Sequence, residues 1–251
     1  MKVIFHPRFC EVYTSDPAAA PGRMEPMVKA LEKEFGFIEP EPASMRDLER
    51  VHGRSHIQYV KAEPLVYEIS CLAAGGAILA GELAFDGQPA FGLIRPPGHH
   101  ASPHSCWGFC YFNNIAITIK RLMNEEKIKS ALVLDFDLHY GDGTANTFNG
   151  SKEVSYFHPE GTSQQSFLNE VQTSLQTENS FDIIAVSAGF DRHEEDWGGL
   201  LKTEDYLTIG RWVKEASLER CLGRRFGVLE GGYNHSVLGR NVKSFIQGLS
   251  E

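Results

Sequence analysis

The stretch "ALVLDFDLHYGDGT", residues 131–144, decides the fold. Its first four residues are apolar without a break, the pattern of a strand covered on both faces and not of a half-exposed one. Asp135, Asp137 and His139 follow at a spacing of two, so an extended chain turns them to one side. Both aspartates precede the turn signalled by "GDG", while the chain is still in its apolar run. A carboxylate there costs free energy unless it is paired or bound to a metal. The segment therefore points to a metal or catalytic centre at a strand end and not to a solvated turn.

Similar strand-length apolar runs occur along the chain: "KVIF", "AFGLI", "EVSYF", "DIIAVSAGF" and "RFGVLEGG". Segments of helical character separate them, at about 23–35, 44–62, 66–85, 112–126, 164–177, 203–220 and 235–249. Alternating strands and helices predict an α/β fold with a mostly parallel central sheet and helices on both faces. The 251 residues are enough for one core, so residues 1–251 read as a single domain.

In open parallel sheets, ligands bind beyond the carboxyl ends of the strands. "AFGLI" leads into "RPPGHH", which carries His99 and His100. "DIIAVSAGF" leads into Asp191, and "RFGVLEGG" into Tyr233. Four strand ends thus deliver His, Asp and Tyr to one edge. Asp137, His139 and Asp191 supply one imidazole and two carboxylates, a set that suits a catalytic zinc or another borderline divalent ion such as Fe2+. His99 and His100 are then free to flank a bound water and move protons, with Asp135 and Asp142 as spare carboxylates to orient their rings. His6, His52, His56, His104, His158, His193 and His235 read as structural or solvated; His193 is close enough in sequence to Asp191 to line the site.

Composition narrows the partners. A net charge of -9 argues against a nucleic-acid track and is compatible with a cationic substrate. "CLAAGGAILAGELAF" is rich in small residues and broken by Glu82, which predicts a packed helix and not a membrane span. Five scattered cysteines without a CxxC pair, and no apolar leader after Lys2, predict reduced thiols and a cytoplasmic protein.

The motifs "RPPGHHA", "GFCYFNN", "DFDLHYGDGT", "SAGFD" and "LEGGYN", in that order, resemble the zinc-dependent histone deacetylase and acetylpolyamine amidohydrolase superfamily; "RVHGRSHIQYV" does so too. The resemblance covers nearly the whole chain. It implies the arginase-deacetylase fold and hydrolysis of an N-acetylated amine, either a small amine or acetyl-lysine, by a monomer or weak homo-oligomer. It places zinc on Asp137, His139 and Asp191, makes His100 the general base and His99 its electrostatic neighbour, and pairs them with Asp142 and Asp135. Tyr233 polarises the scissile carbonyl, and Gly108 and Phe109 line the channel. A structural potassium ion is implied on the main-chain oxygens of Asp135, Asp137 and His139, the Ser155 hydroxyl and the Tyr156 carbonyl.

The chain departs from the family pattern after Tyr156. A glycine-rich loop and a further strand are missing there, which removes one aromatic wall of the channel and predicts a shallower site. Phe157 and His158 are candidate replacements, and Trp197 is placed to fill or cap the pocket. A small or flexible acetylated amine is the favoured substrate on this reading. An esterase or small-amide hydrolase using the same site is the alternative, and a non-catalytic binding protein of the same fold is disfavoured because every expected catalytic position is present.

Overall fold

In the computed structural model, which describes residues 1–176 and 180–250, seven parallel strands form one sheet. They are β1 (Lys2–Ile4), β2 (Gly36–Ile38), β3 (Ala90–Gly92), β4 (Ala131–Asp135), β5 (Val154–Phe157), β6 (Ile183–Ala188) and β7 (Arg225–Leu229), in the order β2-β1-β3-β7-β6-β4-β5. The α-helices among the described residues are α1 (Glu25–Leu31), α2 (Met45–Leu48), α3 (Arg54–Lys61), α4 (Pro64–Phe85), α5 (Asn114–Asn124), α6 (Asp142–Thr147), α7 (Gln164–Leu175), α8 (Thr203–Arg220) and α9 (His235–Ser250). Every residue of β3, β4, β6 and β7 is buried, so helices and loops cover both faces of the central sheet. α4 packs on α5 and against β1, β3 and β7; α8 packs on α9 and against β6 and β7. This is the α/β architecture expected from the sequence.

α4 explains its own composition. It is long and apolar enough to cross a membrane, but 72% of its most apolar stretch is buried inside the protein. Its small residues let neighbours approach. A Cβ on Gly75 would lie 1.9 Å from the Glu41 carbonyl oxygen, where the 41–43 loop crosses the helix and the Ala43 N–H donates to the Cys71 carbonyl.

Two of the predicted helices differ from the sequence reading. The predicted helix over 23–35 stops at Leu31, and a strand, β2, follows almost at once. Three residues containing a glycine carry too little periodicity to betray an edge strand, and pairing to β1 creates it. The predicted helix over 44–62 splits into α2 and α3 at Gly53, the N-cap of α3, whose N–H donates to the Pro103 carbonyl. The predicted helix over 164–177 is α7, and residue 177 lies outside the described residues, as does residue 251 of the predicted domain.

Gly75→Ala tests the α4 crossing. Helix propensity alone favours alanine by about 1 kcal/mol. Overpacking against a backbone oxygen that has no rotamer to escape into costs more, about 1–3 kcal/mol. The net cost of about 0–2 kcal/mol is expected to lower Tm by up to about 8 °C; a higher Tm would show that the loop over Gly75 gives way.

Candidate active site

β3, β7, β6 and β4 are consecutive neighbours, so their carboxyl ends lie side by side. The segments that leave them bring His99, His100, Asp135, Asp137, His139, Asp191 and Tyr233 together. His99, His100, Asp135, Asp137 and Asp191 are all at most 3% exposed.

Asp137, His139 and Asp191 present ligand atoms within 4.8 Å of one another. His139 Nδ1 lies 3.2 Å from Asp137 Oδ1 and 3.2 Å from Asp191 Oδ2. The single proton on that nitrogen serves only one of them, and Asp191 Oδ2 is buried without a hydrogen-bond donor. The separations are close to the edge of about 3.3 Å in a tetrahedron with bonds of about 2.0 Å, so the residues fit a zinc-type divalent ion. The other carboxylate oxygens are already held: Asp137 Oδ2 by Gly231 N at 2.8 Å and Asp191 Oδ1 by Leu138 N at 3.0 Å. A Cβ on Gly231 would stand 2.6 Å from Asp137 Oδ2 and 2.6 Å from Asp191 Oδ2, so only glycine lets this backbone close on the carboxylates.

The electrostatics agree. The Asp137 and Asp191 carboxylates, each 3.2 Å from its Nδ1, push the His139 ring up to about 10. Burial and the charge of Asp137 push Asp191 up to about 6. Burial opposes ionisation of Asp137 too, but His99 and His139 hold its carboxyl below the usual range. Two carboxylates in one dry site call for positive charge, and a dication supplies more of it than a ring proton does.

The adjacent histidines sit in different fields. His99 Nδ1 is 3.0 Å from Asp135 Oδ2, and its Nε2 is 3.8 Å from Asp137 Oδ1. Burial alone would lower it, but the charges of Asp137 and Asp135 and the hydrogen bond to Asp135 hold it well above the ordinary histidine value. His100 Nδ1 is 2.7 Å from Asp142 Oδ1. Burial, then the neighbouring His99, lowers it to about 4 against the pull of Asp142. One histidine is held cationic and the other neutral, at a ring separation of 4.1 Å. Trp107 completes the second pair: its Nε1–H donates to Asp142 Oδ2 at 2.9 Å while its ring lies 4.0 Å from that of His100.

These groups open on a cavity of about 280 Å³ lined by Pro97, His99, His100, Trp107, Gly108, Phe109, His139, Trp197, Gly231 and Tyr233. Gly108 (φ 58°) and Phe109 (φ 67°) are consecutive left-handed residues, and a Cβ on Gly108 would meet His100 Cδ2 at 2.4 Å. For Phe109 that conformation costs about 1–2 kcal/mol, held by its surroundings. Trp197 stacks on Tyr233 at 4.0 Å and meets His139 edge-on. Burial drives the Tyr233 hydroxyl well above the usual phenol range, so it remains a donor. Asp196 fixes the tyrosine by accepting from its backbone N–H at 2.8 Å.

The wall is therefore not absent. Trp107 and Trp197 supply aromatic surface, whereas Phe157 and His158 do not line the cavity. His193 does not line it either; its ring accepts from Glu195 N and lies beside Thr203.

The residues expected around potassium are only partly assembled. Ser155 is exposed and pairs in register with Leu132, three residues before Asp135 on the neighbouring strand, about 10 Å along it. Its hydroxyl does not reach the Asp135 end. Tyr156 instead uses its side chain, donating from Oη to Asp135 Oδ2 at 2.9 Å and accepting from Gly141 N at 2.8 Å.

Glu230, Arg23 and the Cys110 cluster escaped the sequence reading, whereas His52 has the structural role read for it. Glu230 is 1% exposed and accepts from Gly98 N, His99 N and Ser187 Oγ, so it pins the histidine turn from beneath. Burial raises it to about 7 against the charge of His99. Its ligand atoms, with those of His99 and Cys110, form a second cluster within 4.8 Å. That cluster is already bonded, since Cys110 Sγ accepts from His100 N. Arg23 donates to the Gly232 and Glu230 carbonyls and braces the end of β7. His52 bridges the two loops that carry His100 and Phe109: its Nδ1 faces the Ser102 carbonyl at 3.1 Å and its Nε2 accepts from Asn113 N at 2.9 Å. The sequence signal for Glu230 and Arg23 was a charged residue beside or within an apolar run, which an isolated chain does not distinguish from a surface one.

Comparison with known proteins agrees with this geometry. The histone deacetylase domain profile matches residues 18–167 and 158–249. The chain belongs to the histone deacetylase family. It is 30% identical over 283 aligned positions to a probable deacetylase of Methanothermobacter thermautotrophicus, covering 91% of this chain and 84% of that one. It is 43% identical over 223 positions to histone deacetylase clr3 of Schizosaccharomyces pombe, covering 71% of this chain and 32% of the relative. The crystal structure of the HDA15 HD domain superposes with a TM-score of 0.83 at 21% identity over all of this chain and 91% of that one, a likeness of fold. Membership makes this family member a deacetylase-type hydrolase.

His52 gives a pH test of the scaffold. Burial, then His56, lowers its folded-state value to about 3 from 6.5. The unfolded chain then binds a proton that the folded one refuses, so stability is full above about pH 6.5 and falls as pH drops towards about 3. Urea unfolding across that window is expected to lose on the order of a few kcal/mol from this group. A His52 proton resonance that titrates near pH 6.5 in the folded protein would remove the assignment.

Proposed function

We propose that this protein is a zinc-dependent deacetylase acting on small or flexible N-acetylated amines. The observation that carries the reading is the shared cavity on which His100 with its aspartate, the hydroxyl-bearing Tyr233 and the Asp137, His139 and Asp191 set all converge. A divalent ion held by that set, zinc or Fe2+, would polarise the acyl oxygen and lower the pKa of a bound water.

The chain's own groups carry the remaining work. His100, neutral at pH 7 and oriented through Nδ1, takes the proton of the attacking water on its free nitrogen and returns it to the departing nitrogen. His99, held cationic by Asp135 and Asp137, stabilises negative charge that develops beside it. Tyr233 keeps its proton and donates to the developing oxyanion. Trp107, Phe109 and Trp197 exclude water around the acyl group. The products are acetate and a primary amine.

One feature favours a small substrate. A cavity of about 280 Å³ lies at the small end of ligand pockets. The charge of -9 draws cationic amines without selecting among them.

The purified protein is expected to hold near-stoichiometric divalent metal and to lose it in Asp191→Ala. Tyr233→Phe is expected to lower kcat roughly a hundredfold with little change in KM. Acetylated polyamines are expected to exceed an acetylated histone peptide in kcat/KM. Unchanged metal content in Asp191→Ala would sink the metal assignment. A histone peptide favoured by about tenfold or more, roughly 1.4 kcal/mol of transition-state preference, would sink the substrate assignment.

A further inference from the structure

Arg192 follows Asp191 directly, yet its side chain does not line the cavity and is buried at 7% exposure. Its Nε donates to the Asp137 carbonyl at 3.0 Å. Its Nη2 lies 3.3 Å from the Leu138 carbonyl, 3.1 Å from the Pro159 carbonyl and 3.1 Å from His158 Nε2. The Phe167 ring of α7 lies 4.6 Å from the guanidinium carbon. A guanidinium has only donors, so His158 accepts and is neutral. The partners are thus three main-chain carbonyl oxygens, one neutral nitrogen and one aromatic face. No carboxylate touches the guanidinium among these contacts.

Neutral carbonyl dipoles converging on one positive charge are the donor set of a monovalent-cation site. The compensating negative charge comes from Asp137, Asp191 and Asp135 nearby. The potassium that the family resemblance implies does not fit this arrangement. Its Ser155 ligand is on the wrong part of β5, and the Asp137 carbonyl already receives Arg192 Nε. We propose that the Arg192 guanidinium is a tethered internal cation that replaces a monovalent metal ion beneath the catalytic loop.

The replacement also accounts for the short connection after β5. Only residues 158–163 lie between β5 and α7. Arg192 ties His158, Pro159 and Phe167 of that connection and helix to the Asp137–Leu138 backbone. Gly161 admits the close passage, since a Cβ there would lie 2.3 Å from the Phe167 nitrogen. A guanidinium with fixed donors joins these pieces directionally, and an arginine stays charged when buried.

The test compares cations at constant ionic strength, replacing N-methyl-D-glucamine chloride with KCl. It rests on the deacetylase reading only for its rate measurement; the melting temperature is independent of substrate and of turnover. The wild-type protein is expected to show the same Tm and the same rate, within about twofold, in both salts. A saturable rise of Tm or rate with KCl would overturn the proposal. Arg192→Ala is expected to melt lower and to regain Tm saturably with KCl or with guanidinium chloride well below denaturing concentrations. A folded Arg192→Ala protein that gains nothing from either cation would show a mere tether and would also overturn it. Should that variant not fold, the wild-type titration decides alone.

Discussion

Asp135, Asp137 and Asp191 sit at the ends of β4 and β6 with no more than 1% of their surface exposed. Carboxylates so placed are tolerated only when positive charge and donors surround them. Much of the surrounding architecture can be understood as that compensation. His99 and His139 face the carboxylates from the cavity side, and Arg192 lies on the main-chain side. The N–H groups of Asp137, Leu138, His139 and Gly231 fill the lone pairs that the rings leave over. Asp191 Oδ2 alone among these oxygens is buried without a donor, beside His139 and Asp137 in the set that fits a divalent ion.

The parallel sheet makes this concentration possible. All strands run the same way, so the ends of β3, β7, β6 and β4 deliver their loops to one edge. The register is tight: Asp135 pairs with Ser187, and Ala188 with Leu229. The loops that leave these ends are then cross-braced by buried groups from distant sequence. Glu230 holds the histidine turn, Arg23 holds the β7 end and His52 ties residue 102 to residue 113. Each brace is a polar side chain bonded to backbone, joined at Glu230 by the Ser187 hydroxyl, a form of bonding that fixes position without competing for the site.

The sequence makes legible whatever is periodic or placed at a strand end. Continuous apolar runs reveal the core strands, and the spacing of Asp137 and His139 puts them in one cluster with Asp191. β2 is hidden because its strand character comes from pairing with β1 and not from its own pattern. The braces are hidden for another reason. Glu230, Arg23 and Arg192 are ordinary charged residues until the fold removes water from them. Ser155 illustrates the converse error: motif resemblance gives its neighbourhood, but the side of the strand and the register decide whether a hydroxyl reaches the site.

The segment 191–197 concentrates several supports of the site in one stretch of chain. Within seven residues it provides a metal-set carboxylate, Asp191, and the buried cation Arg192. It also provides Asp196, which fixes the Tyr233 backbone, and Trp197, which stacks on the Tyr233 ring. These four tasks are coupled by the backbone bonds that fold the segment back on itself, Gly198 N to the Asp191 carbonyl at 2.7 Å and Leu200 N to the Arg192 carbonyl at 2.9 Å. A shift of this loop would therefore move the ligand, the cation, the wall and the hydroxyl together. Concentrating them on one closed loop makes the geometry of the site depend on a few backbone hydrogen bonds next to Asp191.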